Sequence, residues 1–141
     1  MKMFVQSLLA SVVLMSTAQA GSQAILHKNP NCGCCDEYAK ILEQNGYTVK
    51  LQETTDLPSV RMKTGVPEAL AGCHTMIIDG YIIEGLVPIN VVDRLLKEKP
   101  KIRGISLPGM PVGAPGMPGP KEGPFKIYEI EEGEPSVYAI E

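Results

Sequence analysis

Ala24-Ile25-Leu26-His27, then Lys28-Asn29-Pro30-Asn31, then Cys32-Gly33-Cys34-Cys35-Asp36: an apolar run, a break, and three of the chain's four cysteines within four positions. The apolar run has the length and residue types of a buried strand, and the Pro30 segment ends it. From Cys35 or Asp36 to Asn45 the chain reads as a helix. Tyr38, Ile41 and Leu42 fall at i, i+3 and i+4, and Gly46 supplies the stop. Tyr47, Val49 and Leu51 then alternate with Thr48, Lys50 and Gln52, the period of a strand. Strand, cysteine loop, helix, strand is a crossover unit, and such a crossover normally gives parallel strands.

Further along, Asp56 is placed to cap a short helix from Leu57 to about Lys63, ended by Gly65. Residues 66–72 form one more turn. Cys73-His74 comes directly before the apolar run Thr75-Met76-Ile77-Ile78, which meets Tyr81-Ile82-Ile83-Glu84 through Asp79-Gly80, a favoured two-residue hairpin turn. Pro88 opens a helix to about Lys97, with Ile89, Val92, Leu95 and Leu96 on one face. The resulting order, β-α-β-α-β-β-α, is that of a single thioredoxin-like α/β domain, with the cysteine loop between the first strand and first helix. A helix N-terminus there favours thiolates, and Lys28 is placed to add to the effect. Residues 106–124 are rich in Gly, Pro and Met, and Pro-Gly-Met-Pro occurs at 108–111 and again at 115–118. Neither helix nor central strand tolerates that composition, so an extended loop is expected. Residues 125–130 and 136–140 then read as a C-terminal β-hairpin.

The first twenty residues stand apart. Lys2 precedes an apolar run from Met3 to Met15, and Ala18-Gln19-Ala20 has the small-x-small pattern of a signal-peptidase site. The run is shorter than the ~20 residues of a membrane span. A cleavable signal over 1–20, cut after Ala20, and a single domain over 21–141 are therefore expected, with export to the periplasm and no membrane insertion of the mature chain. Of the 13 basic side chains the signal removes one, leaving 12 against 16 acidic, a net charge of −4. With no basic run, nucleic acid is not an expected partner.

Export allows disulfides, but framework cysteines are normally scattered so that each bridge closes a long loop. A bridge inside Cys32–Cys35 closes almost nothing, so these cysteines read as chemical. A dithiol needs two of them. The third, Cys34, points to a soft metal, since thiolates select Cu(I), Zn(II) or iron–sulfur chemistry. In a thioredoxin-like fold the residues before the third strand face the cysteine loop, which would bring Cys73 and His74 to Cys32, Cys34 and Cys35. His74 is open between ligand and orienting partner. Met110 and Met117 offer thioethers, with anchoring of the loop on the core as the alternative. His27 reads as structural.

Four segments together carry a resemblance: Asn31-Cys32-Gly33-Cys34-Cys35, Gly72-Cys73-His74-Thr75, Asp79-Gly80-Tyr81-Ile82-Ile83-Glu84-Gly85, and Pro108-Gly109-Met110-Pro111 with Pro115-Gly116-Met117. In these the chain resembles the exported copper-resistance proteins of the CopG type, over nearly all of residues 21–141. The resemblance implies a periplasmic thioredoxin-like domain binding copper through its C-x-C-C motif and the later cysteine. It further implies a cysteine-bridged multi-copper cluster with Cu(I)/Cu(II) redox activity, and other periplasmic copper-handling proteins as partners. By position, Cys32, Cys34, Cys35 and Cys73 match the copper-site cysteines and His74 follows in the Cys-His pair. The chain departs from the pattern at Glu84-Gly85-Leu86-Val87-Pro88, where the family tends to have histidine at the position of Leu86, so copper binding with weakened turnover is expected. Two other functions stay open. One is a thiol–disulfide oxidoreductase with Cys32 as nucleophile and Cys35 as resolving thiol. The other is a structural zinc site of the Cys₃His type.

Overall fold

A computed structural model of the chain describes residues 21–141. The expected signal peptide, residues 1–20, lies outside the described residues. Seven strands and three α-helices follow one another as β1 (Gln23–Lys28), α1 (Gly33–Gln44), β2 (Thr48–Glu53), α2 (Leu57–Thr64), β3 (His74–Ile78), β4 (Tyr81–Glu84), α3 (Ile89–Glu98), β5 (Gly104–Ser106), β6 (Lys126–Glu129) and β7 (Val137–Ile140). A 3₁₀ turn, Glu68–Leu70, sits between α2 and β3. No described helix is long and apolar enough to cross a membrane.

The expected order of elements is observed, with one addition. All strands join one mixed sheet in the order β2-β1-β3-β4-β5-β6-β7. β1 and β2 run parallel, as the crossover requires. β3 pairs antiparallel with both β1 and β4, and the β3–β4 turn uses Asp79 and Gly80 at φ 48° and 83°, the two positive values a type I′ turn needs. The addition is β5, which pairs parallel with β4 and carries the β6–β7 hairpin on its other side.

Strand alternation sorts the apolar side chains onto two faces. On one, Leu26, Met76, Ile78 and Ile83 meet Tyr38 and Leu42 of α1 and Val92 and Leu95 of α3 in the main core. On the other, Ile82 and Ile130 pack with Val66 and Leu70, from the segment that follows α2, in a smaller cluster. α1 begins at Gly33, earlier than the apolar spacing indicates, so Cys34 and Cys35 lie inside its first turn with Cys32 as N-cap. At the N-terminus of α2, Asp56 caps the helix by accepting from the Ser59 N–H at 3.1 Å.

The sheet register decides what meets what. Lys28, the last residue of β1, pairs with His74, the first of β3. Thr75 pairs with Glu84 and Glu84 with Ser106, so β1 ends, β3 begins, and β4 and β5 end at one end of the sheet. The cysteine loop, Cys73 and the Gly/Pro/Met-rich segment therefore all emerge there.

Candidate metal centre

The four cysteine sulfurs lie within 4.8 Å of one another. Three come from the start of α1 and the fourth from the residue before β3, so the split site expected from sequence is assembled by the β1–β3 pairing. Cys35 is wholly buried, while Cys32, Cys34 and Cys73 are half-buried at the surface of the cluster. Cys32 and Cys35 are joined by a disulfide, leaving Cys34 and Cys73 as free thiols. Cys34 Sγ lies 3.5 Å from Cys32 Sγ. Burial, and then the neighbouring Cys34, push the Cys73 thiol well up from its ordinary value. A thiol so placed keeps its proton until a cation replaces it.

His74 is fully enclosed against the ring of Tyr38, centroid to centroid 4.9 Å. Its Nδ1 faces Cys73 Sγ at 3.3 Å, and its Nε2 has no hydrogen-bond partner among the described residues. Burial, with the Arg61 guanidinium second, lowers its pKa to about 3, so the ring is neutral at any ordinary pH. Neutral, its nearer nitrogen can either donate to the Cys73 sulfur or accept from its thiol. Tyr38 itself is fixed by donating its hydroxyl to the Val87 carbonyl at 2.8 Å. Leu86, where the resemblance leads one to expect a histidine, is wholly buried in the main core.

The two methionines separate. Met110 places Sδ 3.9 Å from Cys34 Sγ with half its surface exposed, and with Cys32, Cys73 and Arg61 it lines a groove of about 590 Å³ opening beside the thiols. Met117 packs against the core instead, in a loop whose Gly116 lies directly on the backbone of Cys34 and Tyr38. His27, half-buried on β1, lines a separate groove with Gln52, Val60 and Lys63.

Lys28 is engaged within the cysteine loop. Its side chain is 2% exposed, and Nζ donates to the carbonyls of Asn29 and Pro30 at 3.2 Å each while pairing with Asp36 at 3.1 Å. The ammonium is committed to holding the cysteine loop in shape.

Sequence reading also passed over Arg61 and Glu84. Glu84 is wholly buried, and its Oε1 accepts from Arg61 Nε and from the Gly72 N–H, both at 2.8 Å, while Oε2 accepts from the Thr75 hydroxyl at 2.6 Å. Arg61 also donates through its second amino group to the Gly72 carbonyl at 2.7 Å. The available signal was a carboxylate ending the apolar run Ile82-Ile83-Glu84, but its partner stands 23 positions away on a helix.

Chemically the cluster is a set of soft sulfur donors with a neutral imidazole behind one of them. Reduced, four thiols at these separations suit one or more soft ions that thiolates bridge. Oxidised between Cys32 and Cys35, they leave two.

Comparison with known proteins agrees with this chemistry. Residues 70–117 match a family model described as a protein of unknown function, DUF411. No curated protein matches the chain. Among solved structures, the chain is similar to a copper resistance protein copG in its Form 2, with TM-score 0.78 and 36% identity over 86% of this chain and 98% of that one. Form 1 of the same description gives TM-score 0.77 and 36% identity over 84% of this chain and 96% of that one. Identity at that level, sustained across nearly the full length of those proteins, places the chain in the CopG-type copper-resistance family.

Proposed function

We propose that the protein is an exported copper-binding protein of copper resistance, in which residues 21–141 act in the periplasm after removal of residues 1–20. In this reading Cu(I) is held by the thiolates of Cys32, Cys34, Cys35 and Cys73, with Met110 as a further soft donor and His74 orienting Cys73. The observation that carries the reading is the four-sulfur cluster, all within 4.8 Å, in a chain of this family. Clustered thiolates bridge metal ions readily, so more than one copper ion per chain fits the donor set. Full loading requires the Cys32–Cys35 bridge to be reduced first. Copper ions, delivered or collected by other periplasmic copper-handling proteins, are the cargo. Cu(I)/Cu(II) turnover is expected to be weak, because Leu86 supplies core packing where a polar ring would stand.

The bridge between Cys32 and Cys35 favours one second reading, a thiol–disulfide oxidoreductase with half-buried Cys32 as nucleophile and buried Cys35 as resolving thiol. The two readings differ in what they ask of Cys34 and Cys73. The test reduces the protein without oxygen and offers Cu(I) and Zn(II) in competition, then measures disulfide reductase activity of metal-free wild type, Cys34→Ser and Cys73→Ser. Preferential Cu(I) uptake, with little metal-free activity, is expected. Preferential uptake of a single Zn(II), or reductase activity that both serine variants retain, would overturn the copper reading.

A further inference from the structure

We infer that Arg61 and Glu84 are positioning residues for Cys73, holding the Gly72–Thr75 backbone so that the fourth sulfur stays against the three carried by α1. The inference rests on the metal-site reading above. Cys73 is the donor that arrives from a different segment, and nothing covalent fixes it to α1. What fixes it is polar and directional. Gly72, just before it, is held at both its N–H (by Glu84 Oε1) and its carbonyl (by Arg61). Thr75, two residues on, is held by Glu84 Oε2, and the Gly85 N–H donates to the His74 carbonyl at 3.0 Å. One carboxylate and one guanidinium thus grip the chain on both sides of the sulfur.

Simple stability does not account for the pair. Taking a carboxylate and a guanidinium out of water is costly, and apolar residues of similar volume often serve a fold as well or better. What apolar residues cannot supply is direction. The planar fork of arginine bridges the carboxylate and the Gly72 carbonyl at once, a geometry a lysine point charge does not reproduce. The same guanidinium lines the groove beside Cys32, Cys73 and Met110, so the grip forms a wall of the site itself. Outer partners that orient metal ligands elsewhere change metal affinity about 10- to 100-fold when removed.

The test uses the full reduced mature chain in four forms: wild type, Glu84→Gln, Cys73→Ser and the double variant, with Arg61→Lys as a second probe of the fork should Glu84→Gln fail to fold. Cu(I) affinity is measured against a chromophoric chelator, and the rate of Cys73 alkylation in the metal-free protein by mass spectrometry. Glu84→Gln is expected to weaken Cu(I) binding about 10- to 100-fold in the wild-type background. In the Cys73→Ser background the loss should shrink to about two-fold or less, because the residue it acts through is gone. Cys73 alkylation should rise about ten-fold relative to Cys34 in the same sample, and Arg61→Lys should change both readouts in the same sense. Equal losses in both backgrounds, or an unchanged alkylation rate, would overturn the inference. If wild type takes up no Cu(I), the copper reading falls while the alkylation rates still decide whether the pair grips Cys73.

Discussion

Replacing Gly116 by alanine probes how the Gly/Pro/Met-rich segment closes over the cysteines. Gly116 has φ +91°, and a Cβ built there would stand 2.5 Å from the Cys34 carbonyl oxygen and 3.1 Å from the Tyr38 amide nitrogen. Both obstacles are backbone atoms of α1 and cannot swing aside. A positive φ costs an L-residue about 1–2 kcal/mol, and forcing atoms into packed space costs about 1–3 kcal/mol. Together Gly116→Ala should destabilise the metal-free domain by about 2–5 kcal/mol, a large share of the ~5–15 kcal/mol of a typical domain. With a urea m-value of about 2 kcal/mol/M, the unfolding midpoint should fall by about 1–2.5 M. Gly123→Ala is the control, because an added Cβ there meets nothing within 4 Å, and it should stay within about 0.5 kcal/mol of wild type. Gly116→Ala, unlike this control, should also loosen the loop that carries Met110 and weaken Cu(I) retention. Equal midpoints for the two variants would refute the claim that this loop is seated on the first turn of α1.

The methionines should part company: Met110→Leu should weaken Cu(I) retention, while Met117→Leu should leave it unchanged and cost less than about 1.5 kcal/mol in urea unfolding. Stability of the metal-free protein should fall on acidification through His74. Unfolded, this ring takes up a proton near pH 6.5; folded, it resists until about pH 3. The unfolded chain therefore binds more protons between those limits, and stability is lost as pH falls through that window, by at most ~1.4 kcal/mol per pH unit. Urea midpoints of wild type and His74→Asn between pH 7 and 4 check this; the wild-type curve should be the steeper.

Much of the fold was legible because local signals agreed with one another. The run before Cys32, the Tyr38–Leu42 spacing, the Asp79-Gly80 turn and the apolar face of α3 each name their element unaided. The start of α1 is not legible, because Gly33 and two cysteines carry no helix signal; the first turn is held by its place between Lys28 and the loop at Gly116. β5 escaped for a different reason. Gly104-Ile105-Ser106 is too short to show alternation and lies between Pro100 and Pro108, so only its neighbours β4 and β6 make it a strand. The thiol cluster was legible up to the fold, since the density of cysteines demanded a partner and Cys73-His74 was the one candidate before a strand. The sulfurs that join in the oxidised state, Cys32 and Cys35, are the C-x-x-C pair that the oxidoreductase reading names. The Arg61–Glu84 grip was invisible for want of any local pattern linking a short helix to a strand end.

In the proposed copper site, sulfurs from two separate segments act as one donor set. The most direct test is the number of Cu(I) ions bound per chain by fully reduced protein, measured by anaerobic titration and native mass spectrometry for wild type, Cys34→Ser and Cys73→Ser. Wild type should bind Cu(I), and each variant, one from α1 and one from before β3, should lose bound copper. Wild-type stoichiometry in both variants would contradict a shared donor set.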